Sequence, residues 1–206
     1  MKFGVLGTGS VGSAIASKLV SLGHDVKMGS RSANNDKAVA WVASAGPRAS
    51  AGTFADAAAF GEVLFNCTNG NATLEAVGAA GADAIGDKVL VDLANRLPLP
   101  PERGPSLGEA VQQAVPRARV VKALNTVNAQ VMVEPARLPG SHAVLICGND
   151  AEAKRVVRGL LESFGWREVV DLGDIKAARA TEGFMDLWLA LAKSLGTYVF
   201  NVQIVR

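Results

Sequence analysis

The sequence predicts an α/β fold with a doubly wound, mainly parallel sheet. Segments with strand character alternate with segments of helical periodicity along most of the 206 residues, which is the pattern of consecutive strand–helix–strand units. The strand segments, such as "KFGVLG" at residues 2–7 and "EVLFNC" at 62–67, are almost continuously apolar, as parallel strands covered on both faces are. A glycine-rich turn joins the first strand to the first helix, as doubly wound folds often show.

The first 95 residues contain four predicted strands separated by helical segments. The first helix places Val11, Ile15 and Leu19 on one face and ends at Gly23, a typical helix-terminating residue. Thr53 is a candidate cap for a short helix. The predicted elements are, in order, strand 2–7, helix 10–23, strand 24–30, helix 36–46, helix 54–61, strand 62–68, a broken helical stretch over 71–86 and strand 87–95.

The second half begins with a proline-rich segment. Four of the eight prolines lie within residues 97–106, which predicts a loop or a lid. Asp150 is a candidate cap for the amphipathic helix that follows it. The predicted elements are helix 107–116, strand 118–126, strand 141–149, helix 150–165 and strand 166–173. We expect a dinucleotide-binding domain over residues 1–128 and a smaller C-terminal helical and strand portion over 129–206 packed on it.

The last predicted helix is apolar on most of its faces. Phe184, Trp188, Leu191 and Leu195 recur at helical spacing, and this stripe has two explanations. It packs either against the sheet of its own chain or against a second copy in a homodimer.

Composition excludes several classes of function. Hydrophobic residues make up 49% of the chain, charged residues 19%, and the net charge is +2, so neither nucleic acid nor an acidic membrane surface is an expected partner. Cys67 and Cys147 each end an apolar run, which indicates buried thiols in a reducing compartment; two cysteines and two histidines do not make a zinc site. The absence of a membrane-length apolar run or leader predicts a cytoplasmic protein that acts on a small molecule.

The turn "GTGSVG" at residues 7–12 predicts a dinucleotide site. Gly7 permits the tight turn, Gly9 lets the backbone approach a pyrophosphate, and Gly12 allows close packing of helix on strand. The helix that begins near Ser10 directs its free N–H groups at that pyrophosphate. The predicted cofactor-binding residues of this turn are Gly7, Thr8, Gly9, Ser10, Val11 and Gly12.

The end of the second strand selects the cofactor. An acidic residue about 20 positions after the turn would bind the ribose hydroxyls of NAD, but residues 26–35 contain none. Ser30 can donate its hydroxyl to a 2′-phosphate, and Arg31 can pair with that phosphate. Asn34 and Lys37 are candidates for additional donors. The sequence therefore predicts NADP(H).

Small polar residues follow the later strands, where open α/β sheets bind their ligands. The expected set comprises Cys67, Thr68, Asn69, Ala94 and Asn95 for the cofactor, with Asn125 and Thr126 further along the chain. Candidates for a general acid or base are poor: His24 precedes its strand, His142 lies in a loop, and Glu182 has no evident partner. We therefore predict no catalytic side chain and a hydride acceptor whose own ring handles the proton, as a flavin does.

Longer segments resemble a known family. Residues 7–31 are similar to the start of the coenzyme F420-dependent NADP oxidoreductases, as are "VVKALNT" at 120–126, the stretch 144–165 and "VVDLGDIKAAR" at 169–179. "VVKALNT" also resembles the NADPH–flavin reductase domains of six-transmembrane metalloreductases. The resemblance implies a Rossmann-type domain, a homodimer, and direct hydride transfer between NADPH and coenzyme F420, or FMN or FAD. It further implies that Asn69 lies near the nicotinamide and that Asn125 and Thr126 lie near the second ring, as positioning residues.

Two other functions remain open from the sequence. One is a reductase of a small imine or carbonyl compound, although about 60 residues after the last strands leave little room for the large helical domain that such enzymes add. The other is a non-catalytic NADPH-binding sensor, because cofactor binding by itself requires no second substrate.

Overall fold

All eight strands of the computed structural model, which describes residues 1–97 and 104–205, form one sheet in the order β3-β2-β1-β4-β5-β6-β7-β8. Neighbouring strands are parallel except at β6–β7, where the pairing is antiparallel. The mainly parallel sheet predicted from the sequence is therefore confirmed. The strands are β1 (Lys2–Leu6), β2 (Asp25–Ser30), β3 (Ala49–Thr53), β4 (Val63–Asn66), β5 (Val89–Asp92), β6 (Arg119–Ala123), β7 (Ala143–Gly148) and β8 (Glu168–Asp171).

Helices cover both faces of the sheet. They are α1 (Ser10–Ser21), α2 (Asp36–Ala45), α3 (Phe54–Phe60), α4 (Thr73–Ala80), α5 (Ala82–Ile85), α6 (Leu107–Ala114), α7 (Ala129–Val133), α8 (Ala151–Phe164) and α9 (Ala178–Leu195), with 3₁₀ turns at Pro135–Arg137 and Ile175–Ala177. The caps predicted at Thr53 and Asp150 are confirmed, since both side chains accept a backbone N–H of the following helix. Residues 98–103, which hold most of the predicted loop or lid, lie outside the described residues.

Two hydrophobic cores lie on opposite faces of the sheet. One contains Phe3, Val5 and Ile15 together with residues of α7 and α8. The other contains Leu6 and Leu64 together with residues of α3, α4 and α6. Because successive strand residues point to opposite faces, the strands β1, β4, β5, β6 and β7 contribute to both cores, which explains their nearly continuous apolar runs in the sequence.

Two elements were missed by the sequence reasoning. Strand β3 consists of "ASAGT", which lacks the branched and aromatic side chains typical of strands. It forms because it pairs in register with β2 at the edge of the sheet, where Val26 lies opposite Ala49. Helix α7 has only five residues, too few for a helical period to be visible in the sequence. Its start is fixed by Asn128, whose side chain accepts the N–H of Gln130.

The apolar stripe predicted for the last helix does not coincide with its buried face, so the first of its two explanations, packing against the sheet, is wrong, and the second stays a prediction. The buried residues of α9 are Ala178, Thr181, Glu182, Met185, Trp188 and Ala192. Of the predicted stripe only Trp188 is buried, whereas Leu195 is 58% exposed. The core-facing side of α9 is rotated relative to the predicted stripe. It includes Glu182, a charged residue that a search for hydrophobic periodicity does not count.

The C-terminal residues continue the same sheet, because β7 pairs with β6 and β8 pairs with β7. The division at residue 128 stays a proposal about organisation. Within residues 1–97 and 104–205, no helix is both long and apolar enough to span a bilayer.

Candidate cofactor and substrate site

The glycine turn has the backbone geometry that its sequence predicts. Gly7 has φ +118°, in the left-handed region that favours glycine, and a Cβ on Gly12 would lie 2.2 Å from the carbonyl oxygen of Gly7. The roles of Gly7 in the turn and of Gly12 in close packing are thus confirmed. A Cβ on Gly9 would have no protein atom within 4 Å. Gly9 caps α1 without a side chain, so the first N–H groups of the helix face open space.

A cavity of about 330 Å³, here called the cofactor cavity, lies beside this turn. It unites residues from the ends of β1, β2 and β4 with the start of α3 and one side of α4, because all three strands end at the same edge of the sheet. Its lining comprises Gly7, Thr8, Gly9, Ser30, Arg31, Asn35, Phe54, Cys67, Thr68, Asn69, Ala72, Glu75, Ala76 and Ala79. Eight of these residues belong to the set predicted from the sequence.

Ser30 and Arg31 both lie in this lining, but they differ in exposure and in hydrogen bonding. Ser30 is buried, and its hydroxyl donates to the carbonyl oxygen of Ser32. Arg31 is exposed and, among the described residues, has no ion pair. Arg31 is therefore the cation available for an anionic ligand at this end of the cavity, while Ser30 shapes the turn that presents it.

The two further donors predicted at the start of α2 lie elsewhere. Asn34 is exposed and does not line the cofactor cavity. Lys37 lines a separate shallow depression on the α1 side of the turn. The neighbouring Asn35 lines the cofactor cavity. Its side chain accepts the backbone N–H groups of Lys37 and Ala38 and thereby caps α2. Asn35 directly precedes the helix predicted over residues 36–46, a position where asparagine is a preferred cap, and this could have distinguished it from Asn34.

A second cavity of about 280 Å³, here called the inner cavity, lies further along the same edge. Cys67 and Thr68 line both cavities, so the two meet at the end of β4. The full lining of the inner cavity is Ser10, Val11, Cys67, Thr68, Leu93, Ala94, Asn95, Asn125, Val127, Asn128, Ala129, Met132, Met185 and Trp188. Thr126 is buried and is not part of either lining.

A buried hydrogen-bond network supports the wall between the cavities. Asn66 donates its side-chain amide to Asp92 at 2.7 Å, and its carbonyl oxygen accepts the Thr68 hydroxyl at 2.6 Å. Because the carboxylate is only an acceptor, it fixes the orientation of the Asn66 amide. The Thr68 hydroxyl proton is therefore held by Asn66, and the Thr68 oxygen, which also lies 2.9 Å from the Thr73 hydroxyl, can act only as an acceptor.

The network continues through Lys122, a charged residue with a fully buried side chain. Its ammonium group lies 2.8 Å from Asp92 Oδ2 and 3.0 Å from Glu182 Oε1. Burial alone would lower the pKa of Lys122, but the two carboxylates outweigh it and raise that pKa above its usual value. The lysine is thus a fixed cation that joins β5 and β6 to α9.

Glu182 does have partners, contrary to the expectation from the sequence. Besides Lys122, its carboxylate accepts the backbone N–H groups of Leu107 at 2.8 Å and Gly108 at 2.9 Å. These are the first N–H groups of α6, which favour a negative charge. Glu182 therefore joins α9 to α6, and its partners come from segments more than 50 residues away along the chain.

The loop after β6 is held by a reciprocal pair of asparagines. Asn95 donates its amide to the carbonyl oxygen of Asn125 at 2.6 Å, and Asn125 donates its amide to Asn95 Oδ1 at 3.0 Å. The chain reverses at Leu124, whose φ of 62° is rare for a residue with a branched side chain. Such a conformation costs about 1–3 kcal/mol, and the complete burial of the Leu124 side chain maintains it.

Both thiols are buried, as predicted. Burial raises the pKa of Cys67, and the charge of Asp92 raises it further. Burial raises the pKa of Cys147 to about 12. Cys67 therefore contributes a neutral thiol to the junction of the two cavities.

Known proteins share both the sequence and the shape of this chain. Residues 2–96 match the family described as "NADP oxidoreductase coenzyme F420-dependent". The crystal structure of a candidate F420-dependent NADP reductase from Arthrobacter sp. FB24 is 43% identical, with a TM-score of 0.94 and complete coverage of both chains. The chain belongs to this family. The resemblance inferred from the sequence is thereby confirmed, and the matching fold agrees with the glycine turn and sheet order described above.

Two curated members of the wider group are more distant. The F420-dependent NADP reductase of Methanocaldococcus jannaschii is 32% identical over 62% of this chain and 56% of its own length. The metalloreductase STEAP3 of Rattus norvegicus is 32% identical over 88% of this chain and 36% of its own length. The alignments thus span about half, and about a third, of these two relatives. The relation to the six-transmembrane metalloreductases noted in the sequence is confirmed as well.

Some residues of the site were missed by the sequence reasoning. In the cofactor cavity these are Asn35, Phe54, Ala72, Glu75, Ala76 and Ala79; in the inner cavity they are Leu93, Val127, Asn128, Ala129, Met132, Met185 and Trp188. Most lie on helices that pack over the sheet edge. No local motif marks them, because tertiary packing alone brings them to the ends of the strands.

Proposed function

We propose that this F420-dependent NADP oxidoreductase family member transfers hydride between NADP(H) and a deazaflavin or flavin ring held in the inner cavity. The observation that carries the proposal is the chemical neutrality of that cavity. Its described lining contains aliphatic, amide, hydroxyl, methionine and indole groups, and its one titratable side chain is the Cys67 thiol of raised pKa. Hydride transfer between two rings requires orientation and exclusion of water rather than a protein acid or base.

Three observations support NADP(H) as the cofactor. The open space above Gly9, next to the free N–H groups of α1, suits a pyrophosphate. Arg31 lies at the end of β2 and forms no ion pair within the described part of the chain, so its guanidinium can pair with a 2′-phosphate. The description of the family also names NADP. Bound in this way, NADPH supplies the hydride.

The roles of the protein residues follow from the geometry. The turn would hold the two phosphates of the pyrophosphate, and Arg31 would hold the 2′-phosphate on the adenosine half of the ligand. Thr68, whose hydroxyl proton is engaged by Asn66, offers an acceptor at the junction of the cavities. Asn95 and Asn125 hold the loop after β6, and Met132, Met185 and Trp188 contribute apolar walls that exclude water. No proton has to move through a side chain in this scheme.

The test is oxidation of NADPH by the purified protein with coenzyme F420, FMN or FAD as acceptor, followed by the loss of nicotinamide absorbance. Turnover with coenzyme F420 alone supports the deazaflavin, and turnover with FMN or FAD supports a flavin reductase. Tight NADPH binding without turnover of any of the three contradicts the proposal and favours the sensor. Turnover only with an imine or carbonyl compound favours the small-substrate reductase.

A further inference from the structure

Two buried side chains that line the inner cavity each have a polar atom without a hydrogen-bond partner. These atoms are Asn125 Oδ1 and Trp188 Nε1, and within residues 1–97 and 104–205 they are the buried side-chain nitrogen and oxygen atoms left unpaired. The two side chains are only 3% and 9% exposed, and both line the inner cavity. Buried polar groups are paired in the great majority of proteins, because an unpaired one loses its hydration without compensation.

The orientation of the Asn125 amide is fixed by its neighbour. Asn95 donates its own NH₂ group to the Asn125 backbone carbonyl, so Asn95 Oδ1 must face a donor. That donor is the NH₂ group of Asn125, which leaves Oδ1 as the free end of the amide. The inner cavity therefore contains a buried acceptor whose identity follows from the network.

The Trp188 indole is a donor held firmly in place. An indole N–H can only donate a hydrogen bond. The ring stacks on Tyr198 and Phe200, with centroids 5.6 Å and 5.3 Å away. Six residues earlier in α9, Glu182 is bonded to Lys122 and to the start of α6. The indole is thus fixed on both sides, which lowers the entropic cost of using it for recognition.

A single chemical group satisfies one acceptor and one donor in a common cavity. We propose that Asn125 and Trp188 together recognise a –CO–NH– group of the bound ligand. The ligand N–H donates to Asn125 Oδ1, and the ligand carbonyl oxygen accepts the Trp188 N–H. This rests on the proposed function, and it assigns to Trp188 a direct contact that no sequence pattern indicates.

Two ligands of the proposed reaction carry this group. The nicotinamide ring of NADPH bears a carboxamide, and a flavin or deazaflavin ring has an imide edge in which an N–H lies between two carbonyl groups. Equilibrium binding distinguishes them, because NADPH, FMN and coenzyme F420 can each be titrated separately against the protein. Dissociation constants measured in this way do not depend on whether the protein turns over.

The first variant is Trp188→Phe, which keeps a ring for stacking on Tyr198 and Phe200 and removes the N–H. If the nicotinamide carboxamide is the bound group, the Kd for NADPH rises about three- to tenfold, the value of one hydrogen bond. If the imide edge is bound, the Kd for FMN or coenzyme F420 rises by that factor and the Kd for NADPH stays constant. Unchanged constants for all three ligands in the folded variant overturn the inference.

Ligand analogues test the other hydrogen bond. The 3-acetylpyridine analogue of NADPH keeps the carbonyl and lacks the N–H, and an N3-methylated flavin lacks the N–H of the imide edge. For the ligand that carries the recognised group, the analogue should have a higher Kd than the parent compound for the wild-type protein. Asn125→Leu should raise the Kd of the parent compound and leave the Kd of the analogue unchanged. Equal weakening of parent and analogue by Asn125→Leu contradicts the proposed pairing.

A matched control separates recognition from general destabilisation. Trp41→Phe also removes a buried indole N–H, which in this chain donates to Ser17 at 3.0 Å. We expect this variant to lose stability without a change in any of the three dissociation constants. Failure of the wild type to reduce any acceptor refutes the proposed reaction, whereas the titrations still decide the role of Trp188.

Discussion

Arg31 is the residue that we propose distinguishes the two nicotinamide cofactors. It follows β2 and lines the cofactor cavity, while Ser30 beside it uses its hydroxyl proton within the protein. The selectivity expected from the pair "SR" therefore depends mainly on the arginine. A guanidinium group can bind a phosphate with two parallel hydrogen bonds, which a neutral side chain cannot replace.

Arg31→Ala should weaken NADPH binding by about 1.5–3 kcal/mol, the range for hydrogen bonds to charged groups. NADH binding should hardly change, because NADH has no 2′-phosphate. Isothermal titration with both cofactors measures the difference. Lys37→Ala, which removes another exposed cation close by, is the control and should leave the ratio of the two constants unchanged. Equal losses for NADPH and NADH after Arg31→Ala would refute the 2′-phosphate role.

The two cysteines should be unreactive in the folded protein. Their pKa values are raised by burial, and the thiolate is the reactive form. We expect a disulfide reagent such as Ellman's reagent to modify neither thiol at slightly alkaline pH, and both after denaturation. Rapid modification of the native protein would contradict the burial of Cys67 at the junction of the two cavities.

At the scale of elements, two glycines of the same turn differ in what surrounds them. Gly9 and Gly12 belong to the same motif, yet a side chain on Gly9 meets no protein atom and one on Gly12 meets the Gly7 carbonyl oxygen. We therefore propose that the ligand constrains the first position, whereas the packing of α1 on β1 constrains the second.

Gly9→Val should abolish binding of NADPH and NADH alike, because its side chain would occupy the pyrophosphate position. Its cost in unfolding free energy should not exceed about 1 kcal/mol, the value of a poorer helix cap. Gly12→Ala should instead destabilise the fold by about 1–3 kcal/mol through overpacking. Urea unfolding and cofactor titration of both variants provide the measurement. Retained cofactor binding by Gly9→Val would mean that the turn is only structural.

The junction of α6 and α9 depends on Glu182. Glu182→Ala would leave two N–H groups at the start of α6 unpaired and would remove one of the two carboxylates of Lys122. We expect a loss of about 3–5 kcal/mol in unfolding free energy, as for other broken buried pairs. Asp186→Ala, one turn further on the exposed side of α9, is the control and should change stability by less than about 0.5 kcal/mol. A similar small effect of both variants in urea unfolding would show that the buried pair is not a stabilising contact.

At the scale of the whole molecule, the end of the chain exposes apolar surface. The residues with large exposed apolar side chains in α9 and the segment after it are Leu187, Leu189, Leu195, Tyr198, Val199, Val202, Ile204 and Val205. Surface of this kind at one place is typical of an interface. Because α9 also carries Trp188 on its buried side, contact between two copies at its outer side would stabilise the wall of the inner cavity.

We expect a homodimer that uses this C-terminal surface. Sedimentation of the purified protein should give twice the monomer mass, and the double variant Leu187→Glu, Leu195→Glu should give monomers. Val39→Glu places the same charge on α2 at a residue that is similarly exposed and should leave the dimer intact. A wild-type protein that sediments as a monomer at all concentrations tested would contradict the expectation.

The sequence by itself determined the sheet, the glycine turn and the position of Arg31. These features are local: a strand, a tight turn and the residue after a strand are encoded by neighbouring residues, whose spacing is visible in the sequence. The same locality explains the correct caps at Thr53 and Asp150. The edge strand β3 was not predicted, because its small side chains are not typical of strands and its formation depends on pairing with β2.

Only the tertiary structure decided the inner cavity and the network behind it. Glu182 looked isolated in the sequence, because its partners Lys122, Leu107 and Gly108 lie on other elements. Trp188 and Asn125 line one cavity for the same reason, since α9 reaches the carboxyl edge of the sheet. Contacts between distant segments are fixed by packing and burial, and no spacing along the chain records them.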